Sequence, residues 1–365
     1  MTAVRSRRPL IAALVAVVVV AGAAVAAVAL PSQGDGEQPP GQVLGARSLS
    51  FAAVGDHGNS AKASKVFAAM GRVSPDVVLS LGDLAYDEGP GVAEGFCRMV
   101  KDQLNLGARK PTGHDYGETL PVAIVEGNHD DELLKYLEPD CLPDRLGVTP
   151  SGLDDPGQAY WVDLPKEEPL ARLVVVPSDG RDKYAVGTRR HRWLSDVIDG
   201  ARAAGLPWVV AAQHENYVTA GEKPDEIGPD VFNLLVSKKV DLVLQAHDHT
   251  YQRSAQLGHA PGCPAVPAGR FESRCVVDDG TDAAYEAGAG TVVLINGTGG
   301  RDNYEVFPSD PDAPYFPVVM GANTEDAHGF SHITISPGSI DVRYEQADGD
   351  VPFTDEFRIV REEAS

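Results

Sequence analysis

Short apolar runs recur along this chain, and five of them end in a turn that carries acidic, amide or imidazole side chains. Ser50–Val54 leads into Gly55-Asp56-His57-Gly58, and Val77–Leu81 into Gly82-Asp83-Leu84-Ala85-Tyr86. Pro121–Val125 leads through Glu126 into Gly127-Asn128-His129-Asp130, and Trp208–Ala212 into Gln213-His214. Val240–Leu244 leads into Gln245-Ala246-His247-Asp248-His249. Runs this short, bounded by glycine and polar residues, predict buried strands. The spacing predicts helices over Ala61–Met70, Val92–Leu104, Thr188–Ala204 and Pro229–Ser237, the last with proline in its first turn, and a short helix over Asp131–Leu137. Ala159–Asp163, Arg172–Val176 and Thr291–Asn296 read as further strands. Gly329–Ser336 and Ser339–Glu345 alternate as a hairpin across Pro337-Gly338. The Pro/Gly-rich stretch Gly258–Gly290 reads as a long irregular loop, expected at the rim of a site.

Strands alternating with helices predict an α/β fold. In such sheets the loops at the carboxyl ends of the strands gather on one edge, where sites form. The five turns then bring together about seven metal-competent side chains, too many for one tetrahedral zinc. They suffice for two metals that share a bridging carboxylate. The glycine turn Gly297-Thr298-Gly299-Gly300 lacks the Lys-Ser/Thr of a nucleotide loop and reads as a tight turn.

The ordered set Asp-x-Gly, Gly-Asp-x-x-Tyr, Gly-Asn-His-Asp, a strand-end His and His-x-His resembles the calcineurin-like metallophosphoesterases, and within them the purple acid phosphatases. Gly58 stands where the wider family has a metal-binding histidine, whereas Tyr86 fits the purple acid phosphatase tyrosine. Ala246 replaces the usual glycine before His247 and is expected to crowd that turn. The resemblance implies a four-layer α/β/β/α sandwich forming a single catalytic domain over residues 48–361. It implies two metal ions, with Asp56, Asp83, Tyr86 and His249 on one and Asp83, Asn128, His214 and His247 on the other, Asp83 bridging. A phenolate from Tyr86 favours a trivalent ion, so the pair expected is Fe(III) with Fe(II), Zn or Mn. The implied reaction is in-line attack of a metal-held hydroxide on a phosphomonoester. His129 is the candidate acid for the leaving oxygen, with Asp130 to orient it. His57, Tyr217, Lys223 and Arg253 are further candidates for substrate contact. A phosphodiesterase acting on nucleotides or lipid head groups, and a tethered binding protein on the same scaffold, are the alternative readings.

Composition places this chemistry outside the cytoplasm. Arg5, Arg7 and Arg8 precede an uncharged Ala/Val-rich stretch from Pro9 to Leu30, which predicts a signal peptide or a membrane anchor over residues 1–30. Residues 31–47 read as a flexible tether. The four cysteines suit an exported protein and allow three pairings; sequence neighbours favour Cys263 with Cys275 and then Cys97 with Cys141. No Cys-x-x-Cys spacing supports metal ligation by cysteine instead. The net charge of −22 over 365 residues argues against a nucleic-acid partner. It leaves a small phosphate ester open as substrate, because bound cations dominate the local field.

Overall fold

The computed structural model describes residues 47–87, 90–104, 120–130, 133–137, 141, 146–153, 159–178 and 183–361. The arginine-led apolar segment of residues 1–30, the tether up to residue 46, the first two residues of the short helix expected from Asp131 and the tail beyond residue 361 lie outside them. Among the described residues no helix is long and apolar enough to cross a membrane.

The first part of the chain runs β1 (Leu49–Val54), α1 (Ala61–Val73), β2 (Val77–Ser80), α2 (Pro90–Leu104) and β3 (Val122–Ile124). Then come β4 (Thr149–Pro150), β5 (Tyr160–Leu164), β6 (Ala171–Val176), α3 (Arg189–Ala203), β7 (Trp208–Gln213), α4 (Pro229–Ser237) and β8 (Leu242–Gln245). Among the described residues the last part has no α-helix, only two short 3-10 turns at Ser273–Cys275 and Ala313–Tyr315 among the strands β9 (Tyr251–Leu257), β10 (Val276–Asp278), β11 (Ala284–Glu286), β12 (Thr291–Asn296), β13 (Val318–Met320), β14 (His328–Ile335), β15 (Ser339–Asp348) and β16 (Glu356–Val360). One sheet has the order β11-β16-β15-β14-β1-β2-β3, the other β10-β9-β12-β8-β7-β6-β5-β4 with β13 added on β9.

The apolar runs are continuous because both faces of their strands are covered. On β1, Leu49, Phe51 and Ala53 join the core between the sheets, while Ala52 and Val54 pack against α1 and α2. On β7, Trp208, Val210 and Ala212 face the same inter-sheet core, and Val209 and Ala211 pack beneath α3 and α4. The result is the expected layering of helix, sheet, sheet and helix. Local chemistry sets the helix starts. Ser60 Oγ accepts the Ala63 N–H at 3.0 Å, and Thr188 Oγ1 accepts that of His191 at 3.1 Å. Helix α1 runs past the expected Met70 to Val73, where Ser74 at φ 49° closes it with its N–H on Met70 O. The hairpin forms with Ile335 opposite Ile340. Cys97 pairs with Cys141 and Cys263 with Cys275, at Cα separations of 5.9 and 5.3 Å.

Two expectations change. Of the short helix expected over Asp131–Leu137, the described residues form a single 3-10 turn, Leu133–Tyr136. Gly258–Gly290 is largely loop, as expected, but it carries two short strands. Its strands β10 and β11 extend the edges of the two sheets, and Val276 lies opposite Leu257, at the end of β9 remote from the His-x-His turn. Three-residue strands carry too little alternation to be read from sequence.

Candidate metal centre

The parallel strands β1 and β2 of one sheet and β7 and β8 of the other end on the same edge, and their turns are bonded to one another across the sheets. The Asp56 N–H donates to Gly82 O and that of His57 to Asp83 O, both at 3.0 Å. The His247 N–H donates to Asp56 Oδ2 at 2.8 Å, 191 residues away in sequence. Asp56, Asp83 and His247 hold φ angles of 59°, 52° and 63°. Non-glycine residues adopt this left-handed region at an energetic cost and concentrate in it at functional sites. Ala246 is accommodated because Gly55 faces it; a Cβ on Gly55 would stand 2.5 Å from the alanine methyl. Gly127 is equally constrained, since a Cβ there would strike Asp83 Oδ1 and N.

Six of the seven expected ligands converge. Tyr86 Oη lies 3.0 Å from Asp56 Oδ1 and 2.9 Å from His249 Nε2, which is itself 3.4 Å from Asp56 Oδ1. Asp83, His214 and His247 form a second group whose ligand atoms lie within 4.8 Å of one another. His214 Nε2 links the two groups, 3.4 Å from Asp83 Oδ1 and 4.0 Å from Asp56 Oδ1. Asn128 is exposed on the turn after β3. Its neighbour His129 is exposed too; its N–H donates to Asp83 Oδ1 at 3.0 Å, and its ring lies 4.8 Å from that of Tyr86.

The outer nitrogens of the three histidines test whether this group suits cations. His214 Nδ1 lies 2.7 Å from Leu81 O, His249 Nδ1 2.9 Å from Asp302 O, and His247 Nε2 2.8 Å from Glu226 Oε2. Each contact is with an oxygen that only accepts, which places the imidazole proton on the outer nitrogen and leaves a lone pair on the inner one. With both rings neutral, His214 Nε2 and His247 Nδ1 face each other at 3.2 Å as lone pairs, beside two carboxylates. Such an arrangement of lone pairs needs positive charge, and the residues fit metal ions. Where no cation is bound, the same negative field draws in a proton: burial disfavours the His214 imidazolium, yet Asp83 and Asp56 outweigh it and hold its pKa up at about 10. Burial, with Asp56 and Asp83, pushes the Tyr86 phenol far up, so a phenolate there requires a cation to reverse the sign.

Several expected contacts lie elsewhere. Asp130 does not orient His129. It is fully buried, and its carboxylate accepts the backbone N–H groups of Asp83 and Gly127 at 2.8 Å and of Leu84 at 2.9 Å. Burial and nearby Asp83 push it up to about 7. Arg253 points away from the edge into a buried pair with Asp355 at 2.8 Å and a bond to Tyr285 Oη at 2.6 Å. His57 is a core residue on the helix side of the first sheet, with its ring 4.8 Å from Phe67 and Nε2 2.7 Å from Ser80 Oγ. Burial pulls its imidazole down to about 4. Tyr217 packs against Phe232 in the core beneath α4. Lys223 is half-buried, on a loop held by Asp248. The pattern of turns did not reveal Glu226, Asp248, Arg301 and Tyr304. Asp248 lies inside the His-x-His motif, and its carboxylate gathers Thr219 Oγ1 and the Glu222 N–H at 2.6 and 3.1 Å. Tyr304 stacks on His249 at 4.0 Å. Glu226, Arg301 and Tyr304 sit in loops with no local signal of their distant partners.

The sequence is 26% identical over 296 residues to an uncharacterized protein of Mycobacterium tuberculosis, covering 75% of this chain and 51% of that one. It is 24% identical over 218 residues to "Probable purple acid phosphatase 20" of Arabidopsis thaliana, covering 57% and 47%. The chain thus spans about half the length of these curated relatives. Its fold is similar to that of the purple acid phosphatase PPD1 from yellow lupin (Lupinus luteus) seeds, with a TM-score of 0.55 and 16% identity over 87% of this chain and 54% of that one. The model of the calcineurin-like phosphoesterase family matches residues 49–251, more than half of the sequence and all seven expected ligands, and the chain belongs to that family.

Proposed function

We propose that this protein is an exported dinuclear-metal phosphatase acting on small phosphomonoesters. The observation that carries the reading is the set of three histidines whose outer nitrogens are tied back and whose inner lone pairs meet Asp56, Asp83 and Tyr86. Asp56, Asp83, Tyr86 and His249 would hold one ion, and Asp83, Asn128, His214 and His247 the other, with Asp83 shared. The hard phenol oxygen of Tyr86 suits Fe(III), beside a divalent Fe, Zn or Mn. When bound, such a pair supplies Lewis acidity, lowering the pKa of water and offsetting charge on the phosphoryl oxygens. Asn128 contributes a neutral oxygen, which leaves its ion more electrophilic than a third carboxylate would. His129, exposed beside this cluster, gives a proton to the departing ester oxygen. Asp130 acts at one remove, because it clamps the turns that carry Asp83 and Asn128. Two disulfides support an oxidising compartment, and the arginine-led leader over residues 1–30 supports export to it, as a secreted or membrane-tethered protein.

The test is hydrolysis of p-nitrophenyl phosphate beside bis-p-nitrophenyl phosphate with iron and zinc supplied. Faster monoester turnover is expected. Faster diester turnover replaces the reading with a phosphodiesterase. Turnover of neither, with both metals bound, replaces it with a binding protein.

A further inference from the structure

Arg301 follows the glycine turn after β12, and its N–H donates to Asp56 O at 2.9 Å, which fixes its backbone to that of an expected metal ligand. Its guanidinium lies 4.5 Å over the ring of Tyr86, the residue whose Oη touches Asp56 and His249. The side chain is exposed, and among the described residues no carboxylate lies within ion-pair distance of it. The neighbouring acid, Asp302, is paired with Lys62 at 3.0 Å instead. A chain of net charge −22 has many acids with which to neutralise a surface arginine. Among the described residues this arginine has no acidic partner, and it stands beside the metal-ligand group braced by the aromatic face of Tyr86.

We propose that Arg301 binds a terminal oxygen of the substrate phosphate and so makes the site select monoester dianions over diester monoanions. The inference rests on the phosphatase reading above. A monoester has three terminal oxygens and two negative charges. With two of those oxygens turned to the metal-ligand group, the third remains for the planar fork of a guanidinium, which suits phosphate better than an ammonium does. In a diester that third oxygen carries a second organic group, and a charge-assisted bond to it is lost. Arg301 thereby takes on the substrate contact that Arg253, buried against Asp355, does not make.

The test uses the metal-loaded full chain, Arg301→Ala and Arg301→Lys. It reads kcat/KM for p-nitrophenyl phosphate and its bis-ester, competitive inhibition by orthophosphate, and metal content. For Arg301→Ala the expected result is a monoester kcat/KM lower by about 100-fold, the scale of losing one preorganised donor to transition-state charge. Diester turnover and metal content stay near wild type, and orthophosphate inhibits more weakly. Arg301→Lys recovers part of the monoester rate. A wild type that prefers monoesters, with a variant that keeps the same monoester-to-diester ratio, overturns the role of Arg301 and leaves the phosphatase reading standing. Unchanged inhibition by orthophosphate, or loss of metal from Arg301→Ala, also overturns it. A wild type that prefers the diester overturns the phosphatase reading itself.

Discussion

Nε2 of His247 lies 2.8 Å from Oε2 of Glu226, while Nδ1 of the same ring faces His214 at 3.2 Å. A carboxylate on the outer nitrogen fixes the tautomer and raises the basicity of the inner one, and removing such a partner typically lowers metal affinity about 10–100-fold. Glu226→Gln is therefore expected to weaken one of two metal sites by that order and leave the other intact. Stepwise chelator competition with metal quantification checks it. An unchanged affinity at both sites would show that the contact does not tune the metal.

His129→Ala is expected to keep both metals and to slow monoester turnover by about 10²–10⁴-fold, the usual contribution of a positioned proton donor. The loss should shrink for substrates whose leaving group needs no proton, such as a strongly acidic phenol. Comparing p-nitrophenyl phosphate with an alkyl phosphate measures this, and equal losses on both would remove His129 from the proton transfer.

Arg253 carries a different expectation from the one its sequence position suggests. Both its Nε and its Nη2 meet the Asp355 carboxylate, at 2.8 and 3.2 Å, in a buried setting that also holds Tyr251 Oη at 2.9 Å from Asp355. Breaking a buried pair from one side costs about 3–5 kcal/mol, because the other charge stays uncompensated. Arg253→Met should lower the denaturation midpoint markedly and leave KM unchanged in the folded fraction. A raised KM at unchanged stability would restore a substrate role.

How much was legible follows from the reach of each interaction. The strands carrying the ligand turns showed themselves as short apolar runs because their residues are buried on both faces. Helix α4 showed its start at Pro229, and the order of the turns pointed to six side chains that converge in the structure. Asp130 and Arg253 were misread because their partners lie 46 and 47 residues away for Leu84 and Asp83, and 102 for Asp355. No periodicity encodes contacts at that distance. The same holds for β10 and β11, whose few residues are strands only because an existing sheet edge accepts them.

Asp312 gives a pH dependence remote from the metal-ligand group. It is buried, and burial pushes its carboxyl up to about 6, against the N–H groups of Gly269 and Arg270 that hold it down. In the unfolded chain an aspartate titrates near about 3.9. Between the two values the folded chain keeps a proton that the unfolded chain has lost, so the contribution to stability is fully present below about 4 and is lost as pH rises through about 6. Relative to Asp312→Asn, the wild type should lose stability from pH 4 to 6, with the difference constant above about 7. Urea midpoints across that range report it, and parallel profiles would contradict it.

The most direct measurement is metal content and turnover of the wild type beside Asp83→Asn, because Asp83 Oδ1 meets both His214 Nε2 and the His129 N–H. An amide cannot offer the shared anionic oxygens that hold two cations together. The expected result is two metal ions per wild-type chain, with at least one lost from Asp83→Asn together with nearly all monoester turnover. An Asp83→Asn protein that retains both metals and full activity would contradict the assignment of this cluster as the catalytic centre.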